Sequence, residues 1–523
     1  MNLLKIKNYS NNFQLSILFL LSFFVLNFTK VKAQTPNLKK LDKYILEAQK
    51  KWNIPGMAIA IVKDNKVIFS KGYGIREYGK KDKITDESLF AIASNSKAFT
   101  SAALSILVDE GKISWDDPVR KYLPWFKLYS PYVSENITIR DLLCHRAGFK
   151  TFAGDLIWYG TTHSRKEIIE RARYIEPTYG FRAHYGYSNI MFLTAGEIIP
   201  AVTGKSWDEF IKERFLTPLE MKTTNTSIRE FKKDGNIAMP HHIEIGKKPI
   251  VVEYVNWDNI APAGAINSNV KEMANWIKMQ LNNGNYKEKQ ILSSKQIRIM
   301  RTAQTSNSIS NWSEQTFPSK HFSAYGLGWD LYDYHGSKIV NHGGGAEGMI
   351  SKVVLVPEET FGFVILTNSI NYLPSALSYY ILDNYFGKEE KDWSTLYYGF
   401  YEGSYKRQKE AEAKAELERV KNTKPSLNLD DYAGKYRSKM YGDVDIKLEN
   451  GKLVLYFVPT PIYIGDLTHW QYNTFSIKLR KMYSLPKGTV NFILDENAKV
   501  KQVEIDIPNP DFDFTELKLY KVN

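Results

Sequence analysis

Two stretches of strand-like apolar alternation flank a long region with helical spacing. Residues 56–74 (GMAIAIVKDNKVIFSKGYG) contain two apolar runs around a polar Asp-Asn turn, which predicts a β-hairpin. A second pair of runs follows at 349–368. Segments between them, such as 99–112 and 270–284, have the apolar spacing of helices. We predict one α/β (α+β) domain whose antiparallel sheet is shared by the two ends of this region.

The pattern changes near residue 389. Residues 405–422 are rich in Ala, Glu, Lys and Arg, which predicts a charged, exposed helical linker over 389–425. Short alternating runs dominate from residue 426, and Asn450-Gly451 separates two of them. We predict a small all-β domain, barrel or sandwich, over 426–523.

The first 33 residues have the pattern of an export signal. Lys5 and Lys7 precede the apolar run at 15–26, and Val31-Lys32-Ala33 resembles a small-residue cleavage site. The run is shorter than the roughly 20 residues that span a bilayer. We predict a signal peptide at 1–33, a first domain at 34–388, and a periplasmic or extracellular location. An uncleaved anchor is the alternative.

Composition excludes some classes of function. With 43% hydrophobic and 24% charged residues, the 523-residue chain resembles a multi-domain globular protein. The net charge is +13, but no basic run is long enough for a nucleic-acid patch, so no nucleic-acid partner is expected.

The single cysteine and the histidines do not predict a metal site. Cys144 is followed by His145, but neighbours in sequence tend to point apart, so a buried structural thiol is favoured over a Cys/His nucleophilic pair. His241 and His242 are also adjacent and stand outside any metal-binding motif. We predict no metal and no cofactor.

The segment SNSK at 94–97 carries the first candidate chemistry. Ser94 and Lys97 share one face of a helical turn, where a neutral lysine can take the serine proton. Taken alone, the motif favours an N-cap serine and a solvent-exposed lysine, because serine and lysine are common. Tyr187-Ser188-Asn189 is a second candidate, because a tyrosine can relay a proton and an asparagine amide can hold lysine and substrate.

His342-Gly343-Gly344-Gly345 is the third motif. A lipase-like oxyanion loop would precede a G-x-S-x-G elbow, and this chain has none. A glycine strip also lets the backbone approach a substrate and present amide donors to an oxyanion.

The order S-x-x-K, Y-x-N, H-x-G resembles the penicillin-recognising serine hydrolases. The most similar branch contains class C β-lactamases, D-alanyl-D-alanine carboxypeptidases, D-aminopeptidases and related esterases, and the resemblance spans roughly residues 40–385. It implies a β-lactamase/transpeptidase-like fold and an acyl-enzyme that hydrolyses an amide, peptide or ester bond. The C-terminal part, through GDLTHWQYNTF at 465–475, resembles a lipocalin-like domain attached to some of these hydrolases.

The resemblance also implies residue roles. Ser94 would be the nucleophile, and Lys97 and Tyr187 would share the acid and base work. The other implied residues are Asn189, His342 and Gly344 for substrate binding, and the amides of Ser94 and Gly345 for the oxyanion hole.

The chain departs from the family pattern at His342, where many members have lysine. A histidine is charged only below about pH 6.5 unless perturbed, so we expect weak binding of substrate carboxylates that falls as His342 loses its proton.

Two other functions are also compatible with the sequence. The chain could be a binding module that has lost turnover, or a cell-wall binding protein that acts through its C-terminal domain. The expected partner is a small-molecule or peptide substrate. Cell-wall association and a homo-oligomer are also left open.

Overall fold

The structure is a computed structural model that describes residues 37–389 and 391–522. The predicted signal peptide at 1–33 therefore lies outside the described residues. No helix in the described part of the chain is both long and apolar enough to cross a membrane.

Helices and strands alternate irregularly over residues 37–389, and strands dominate the C-terminal part. The helices are α1 (Leu38–Lys51), α2 (Ser96–Asp109), α3 (Pro131–Asn136), α4 (Ile139–Leu143), α5 (Arg165–Arg171), α6 (Asn189–Thr203), α7 (Trp207–Ile211), α8 (Ala261–Gly264), α9 (Val270–Leu281), α10 (Ser294–Met300), α11 (Asn311–Thr316), α12 (Leu373–Tyr385), α13 (Trp393–Glu418) and α14 (Leu429–Tyr432). The strands of the first domain are β1 (Gly56–Lys63), β2 (Lys66–Gly74), β3 (Phe90–Ala91), β4 (His241–His242), β5 (Ile250–Val251), β6 (Asn267–Ser268), β7 (Asn285–Tyr286), β8 (Lys289–Gln290), β9 (Thr305–Asn307), β10 (Ser323–Tyr325), β11 (Asp330–Tyr334), β12 (Ser337–Ala346), β13 (Met349–Val356) and β14 (Phe361–Thr367).

The central sheet joins the two ends of the first domain, as predicted. Its antiparallel strands run in the order β2-β1-β14-β13-β12-β11-β10-β9, and Ile59 of β1 pairs with Ile365 of β14. The hairpin between β1 and β2 turns at Asp64 and Asn65, which adopt φ values of 48° and 61°. Both values are positive, as a type I′ turn requires.

Helices cover both faces of the sheet, so β1 is apolar on both sides. Ala58 and Ala60 face a core that includes α2, α6 and α9, whereas Met57 and Ile59 face a core built from α1 and α12. Helix α2 is buried over most of its length, and Phe99 stacks on Trp276 of α9 with ring centroids 3.7 Å apart. This packing fixes the start of α2 against the sheet, which is where the candidate nucleophile lies.

The C-terminal strands close into an eight-stranded antiparallel barrel, as the hairpin spacing favoured. The Asn450-Gly451 turn has φ values of 50° and 75° and joins two neighbouring strands. The barrel strands are β15 (Gly434–Ser438), β16 (Gly442–Glu449), β17 (Lys452–Phe457), β18 (Ile464–Gln471), β19 (Thr474–Leu479), β20 (Gly488–Leu494), β21 (Val500–Asp506) and β22 (Leu519–Lys521), and β22 pairs with β15 to close the ring.

The predicted linker contains helix α13, whose two halves differ in environment. Trp393 and Ser394 at its start are buried, and the indole N–H of Trp52 donates to Ser394 Oγ over 3.0 Å. The later turns, over residues 406–418, are exposed. The helix therefore begins as part of the first domain's second core and continues as a charged spacer.

The barrel packs against the segment that leads into the candidate site. Thr162 N–H donates to Pro459 O over 2.8 Å, and Lys150 forms ion pairs with Asp513 and Glu516. Glu516 also accepts a hydrogen bond from the Gly154 amide over 3.0 Å. The two domains thus share a polar contact over residues 150–162.

Candidate active site

Ser94 lies in a short 3-10 turn that leads directly into helix α2. The preceding residue, Ala93, adopts φ of 46°, a left-handed conformation that costs a non-glycine residue roughly 1–2 kcal/mol. The bend leaves Ser94 half-buried at the N-terminus of a buried helix. The partial positive charge there favours a developing negative charge on the serine oxygen.

Lys97 is buried beside Ser94, in the first turn of α2. Its Nζ donates to Ser94 Oγ at 3.0 Å, to Asn189 Oδ1 at 2.7 Å and to Ala263 O at 2.9 Å. Burial lowers the pKa of Lys97 to about 7, and the nearby Asp155 carboxylate opposes this shift. A lysine with that pKa is partly neutral at physiological pH and can act as a base.

Tyr187 stands over the same lysine. Its ring centroid is 4.7 Å from Lys97 Nζ, and burial raises the pKa of its phenol well above 10, with a hydrogen bond to Ser94 acting in the opposite direction. The phenol therefore keeps its proton at neutral pH. Tyr187 is distant in sequence from Ser94 and Lys97, and the fold brings the three side chains together.

Asn189 connects the lysine to a residue that the sequence reasoning missed. Its Oδ1 accepts from Lys97, and its Nδ2 donates to Asp155 Oδ2 over 2.6 Å. Burial raises the pKa of Asp155 to about 7, and its other oxygen, Oδ1, has no hydrogen-bond partner among the described residues. Asp155 follows no motif, because it sits in the loop TFAGDLIWYG (151–160) and only the fold brings it to Asn189.

The glycine strip of β12 passes directly beside Ser94. A Cβ on Gly344 would lie 2.2 Å from Ile92 O and 2.9 Å from Ser94 N, so only glycine fits there. Strand β11 pairs with β12 only as far as Asn341, so residues 342–346 have an edge that no strand of the sheet covers. That edge can present the Gly345 amide and its neighbours to a substrate.

His342 lies in the candidate active site, but its pKa differs from the value expected from the sequence. Its Nδ1 donates to Gly343 O at 2.6 Å, and its Nε2 accepts from the hydroxyl of Tyr325 at 2.9 Å. Burial and the positive charges of Lys97 and Lys352 lower its pKa to about 3. The expectation that His342 loses a proton near pH 6.5 is therefore wrong, because the imidazole is neutral throughout the physiological range.

The sequence pattern relates His145 only to Cys144, whereas in the structure its ring packs against Tyr187. Its Nδ1 accepts from the Ser188 amide over 3.0 Å, and its ring centroid is 4.2 Å from that of Tyr187. Burial lowers the pKa of His145 well below its ordinary value. Cys144 is buried with a thiol pKa raised to about 11, which confirms the prediction of a structural thiol.

Among residues 37–389 and 391–522, no three His, Cys, Asp or Glu side chains lie close enough together to hold a metal ion. A serine at a helix N-terminus, a buried lysine of lowered pKa and a glycine strip beside the serine amide define a serine hydrolase site.

The chain belongs to the beta-lactamase family, whose sequence model matches residues 41–381. This confirms, at the level of the family, the resemblance drawn from the three motifs. A second model, described as a domain of unknown function (DUF3471), matches residues 418–521 and thus the barrel. The lipocalin-like character of that domain stays a prediction.

Among curated proteins, the chain is similar to the unguisins hydrolase ungD' of Aspergillus campestris. The two are 30% identical over 448 residues, which is 78% of this chain and 77% of the relative. Protein flp of Staphylococcus aureus is 29% identical over 351 residues, covering 65% of each chain.

Among solved structures, the octameric penicillin-binding protein homologue from Pyrococcus abyssi matches with a TM-score of 0.61. The match covers 90% of this chain and 99% of that one at 23% identity. At that identity it supports the fold alone.

Proposed function

We propose that the chain is an exported serine hydrolase that forms an acyl-enzyme on Ser94 and cleaves an amide, peptide or ester bond. The observation that carries this proposal is the 3.0 Å hydrogen bond from Lys97 Nζ to Ser94 Oγ, together with a lysine pKa lowered to about 7. Few structural roles require a buried lysine that is ready to lose its proton beside a serine.

In the acylation step we assign the base to Lys97. Neutral Lys97 takes the proton of Ser94 while Oγ bonds to the substrate carbonyl carbon, and the carbonyl oxygen becomes an oxyanion. The amides of Ser94 and Gly345 donate to that oxyanion. Tyr187, which keeps its proton at neutral pH, then gives it to the leaving group as the scissile bond breaks, and protonated Lys97 restores it.

Deacylation reverses the roles around a water molecule. Neutral Lys97 takes a proton from water as the water oxygen attacks the acyl carbon. Tyr187 gives its proton to Ser94 Oγ as the acyl–oxygen bond breaks, and protonated Lys97 then restores the proton of Tyr187. Asn189 and Asp155 hold Lys97 in place through both steps, because their hydrogen bonds of 2.7 and 2.6 Å form one chain to its Nζ.

The neutral state of His342 bears on the choice of substrate. A lysine at this position would offer a fixed positive charge to a substrate carboxylate, whereas His342 with a pKa of about 3 offers none. This favours amides and esters over substrates that need a carboxylate anchor, such as penicillins. The similarity to a protein named unguisins hydrolase is compatible with a hydrolase function.

Export through the leader at 1–33, cell-wall association and a homo-oligomer stay predictions. The similar Pyrococcus abyssi protein is octameric, which makes the oligomeric state worth measuring. We propose that the barrel positions the loop that leads to Asp155. Its residues Asp513 and Glu516 form ion pairs with Lys150 in that loop.

The test compares the mature protein with Ser94→Ala on p-nitrophenyl esters and a fluorescent penicillin. We expect ester turnover in the mature protein and none above background in Ser94→Ala. Ser476→Ala, which changes a half-buried serine of the barrel, serves as the control and should retain full turnover. Equal turnover in Ser94→Ala and wild type would contradict the proposal.

The second candidate is a binding module without turnover. The complete Ser94, Lys97 and Tyr187 constellation argues against it, because a retired site has no reason to keep a lysine of lowered pKa. Tight, Ser94-independent binding of the penicillin without an adduct would favour it.

A further inference from the structure

A cavity of about 290 Å³ opens on the first domain, away from the candidate active site. Its walls come from three segments, which are residues 87–89 before β3, residues 212–226 after α7, and residues 230–237. No residue of the proposed catalytic machinery lines it. The volume is close to the lower end of the range typical of small-molecule sites, so the cavity can hold a compact organic ligand.

Three lysines lie around this cavity without a carboxylate partner. Within the described part of the chain, Lys212, Lys222 and Lys232 form no ion pair, and each of them is exposed. Their ammonium groups are carried on flexible side chains that can turn toward a ligand in the cavity. The lysines therefore give the cavity mouth a positive potential that attracts anions.

The acids near these lysines are paired with other cations or hold the backbone. The ion pairs are Glu87–Lys271, Glu213–Lys205 and Glu220–Lys287. Glu230, which also lines the cavity, accepts a hydrogen bond from the Thr226 amide over 3.3 Å. Among the described residues of the lining, Glu230 is thus the only acid without a cation partner, against three such lysines. The cavity lining is positive on balance.

The wall at residues 223–226 is fixed by hydrogen bonds and leaves one hydroxyl available to a ligand. The amides and hydroxyls of Thr223 and Thr224 donate to the Glu272 carboxylate over 2.6 to 2.9 Å. Glu272 does not line the cavity, and these four donors share its negative charge. Thr226 lines the cavity and is 6% exposed, but its hydroxyl makes no hydrogen bond with the described residues. A polar group buried without a partner costs free energy that a bound ligand can recover.

The cavity also offers apolar surface. Leu216 is only 4% exposed, Leu89 and Ile237 are half-buried, and all three line the cavity. An apolar group that displaces water from such surface gains about 25 cal/mol per Å². A ligand that matches the whole cavity therefore combines an apolar body with an anionic group.

We propose that this cavity is a binding site for a small organic anion, whose charged group lies among the three lysines and whose apolar part lies against the three apolar side chains. Lysine ammonium groups and a threonine hydroxyl all donate to anionic oxygen, and such charge-assisted hydrogen bonds are about twice as strong as neutral ones. A carboxylate and a phosphate ester share this chemistry. The proposal is independent of the proposed hydrolase function, because the cavity shares no residue with that site.

The cavity wall is joined to the segment that precedes Ser94. The Asn225 amide donates to Asn267 O over 3.1 Å, and the Asn267 amide donates back to Asn225 O over 2.9 Å. Asn267 belongs to β6, which pairs with β3 at Ala91, three residues before Ser94. A bound anion is therefore expected to slow backbone hydrogen exchange in the wall at residues 222–237.

The experiment titrates the mature protein by calorimetry with 2-naphthoate, 1-naphthyl phosphate, the uncharged 2-naphthamide and inorganic phosphate. One variant combines Lys222→Gln with Lys232→Gln, and a second is Thr226→Val, which removes the hydroxyl and keeps the branched shape. Lys233→Gln is the matched control, because Lys233 is exposed and follows Lys232 in sequence but does not line the cavity. Hydrogen exchange with and without the tighter naphthyl anion locates the bound ligand.

We expect one naphthyl anion to bind wild type with a dissociation constant of about 1 mM or lower, which corresponds to about 0.3 kcal/mol per heavy atom. 2-Naphthamide and inorganic phosphate should bind at least about tenfold more weakly, because each lacks one half of the ligand. The double lysine variant should lose at least about tenfold in affinity and Thr226→Val about threefold, whereas Lys233→Gln should bind like wild type. The tighter of the two anions identifies the charged group as carboxylate or phosphate.

Three results would overturn the proposal. The first is the absence of saturable binding of either naphthyl anion to wild type up to about 10 mM. The second is unchanged affinity in both the double lysine variant and Thr226→Val, which would place the anion elsewhere. The third is equal binding of the anions and 2-naphthamide. If the double variant does not fold, hydrogen exchange of wild type decides, because slowing confined to peptides outside 222–237 contradicts the site.

Discussion

The buried chain from Asp155 through Asn189 to Lys97 allows the pH dependence of the reaction to be predicted. Asp155→Asn removes one negative charge and keeps an oxygen that can accept the 2.6 Å hydrogen bond from Asn189. Asp155 raises the pKa of Lys97, so its removal should lower that pKa further below about 7. Because the base must be neutral to act, the acid limb of the activity profile should move to lower pH.

The size of the shift follows from the geometry. The two hydrogen bonds measure 2.6 and 2.7 Å, and the Asn189 amide between them adds about 2.3 Å, so the two charges are at most about 7.5 Å apart. At an effective dielectric constant of about 20, this distance corresponds to roughly 2 kcal/mol. One pKa unit equals about 1.36 kcal/mol. Because Asp155 itself has a pKa of about 7, it is only partly ionised near pH 7. We therefore expect the acid limb of the activity profile to shift by about one pH unit.

The assay is kcat/KM for p-nitrophenyl acetate between pH 5 and 9. Asp330→Asn serves as the control, because Asp330 is a half-buried carboxylate whose pKa is also raised but which does not contribute to the pKa of Lys97. Its profile should keep the wild-type acid limb. An unmoved limb in Asp155→Asn, or a shift to higher pH, would refute the assignment of Lys97 as the base.

Three further predictions concern the glycine strip, His342 and the core. Gly344→Ala should lower ester turnover at least about 100-fold, because its Cβ would lie 2.2 Å from Ile92 O, whereas Gly343→Ala, whose Cβ has no neighbour closer than 3.9 Å, should stay near wild type in the same assay. His342→Gln should leave the shape of the pH–activity profile between pH 5 and 8 unchanged, because the pKa of His342 is about 3. Loss of a titration step from the profile of this variant would be evidence against a neutral imidazole. Trp276→Ala should lower the free energy of unfolding by about 3–5 kcal/mol in urea denaturation, because the indole is buried and stacks on Phe99, and a loss below about 1 kcal/mol would contradict that packing.

Features set by short-range sequence rules could be predicted. The turns at Asp64-Asn65 and Asn450-Gly451 have the positive φ values that such residues tolerate. The apolar alternation predicted the strands through which the two ends of the first domain pair in one sheet. Ser94, Lys97 and Tyr187 were recognised because each belongs to a motif with fixed spacing. Their meeting in space agrees with that interpretation.

Features created by burial or by contacts between distant segments could not be predicted. His342 has the same letter in the sequence whether its pKa is 6.5 or about 3, and only its burial beside Lys97 decides between them. Asp155 lies in an irregular loop, and its contact with Asn189 depends on how that loop packs. The approach of Glu347 to Ser484 joins residues 137 positions apart across two domains.

The central claim is that Ser94 becomes acylated during turnover. We would mix the mature protein with a slowly hydrolysed p-nitrophenyl ester, quench in acid within the first turnover, and map the acyl group by mass spectrometry of peptides. We expect one acyl group on the peptide that contains Ser94, and none in Ser94→Ala. Turnover with no acyl group on Ser94, or an acyl group on another residue, would contradict it.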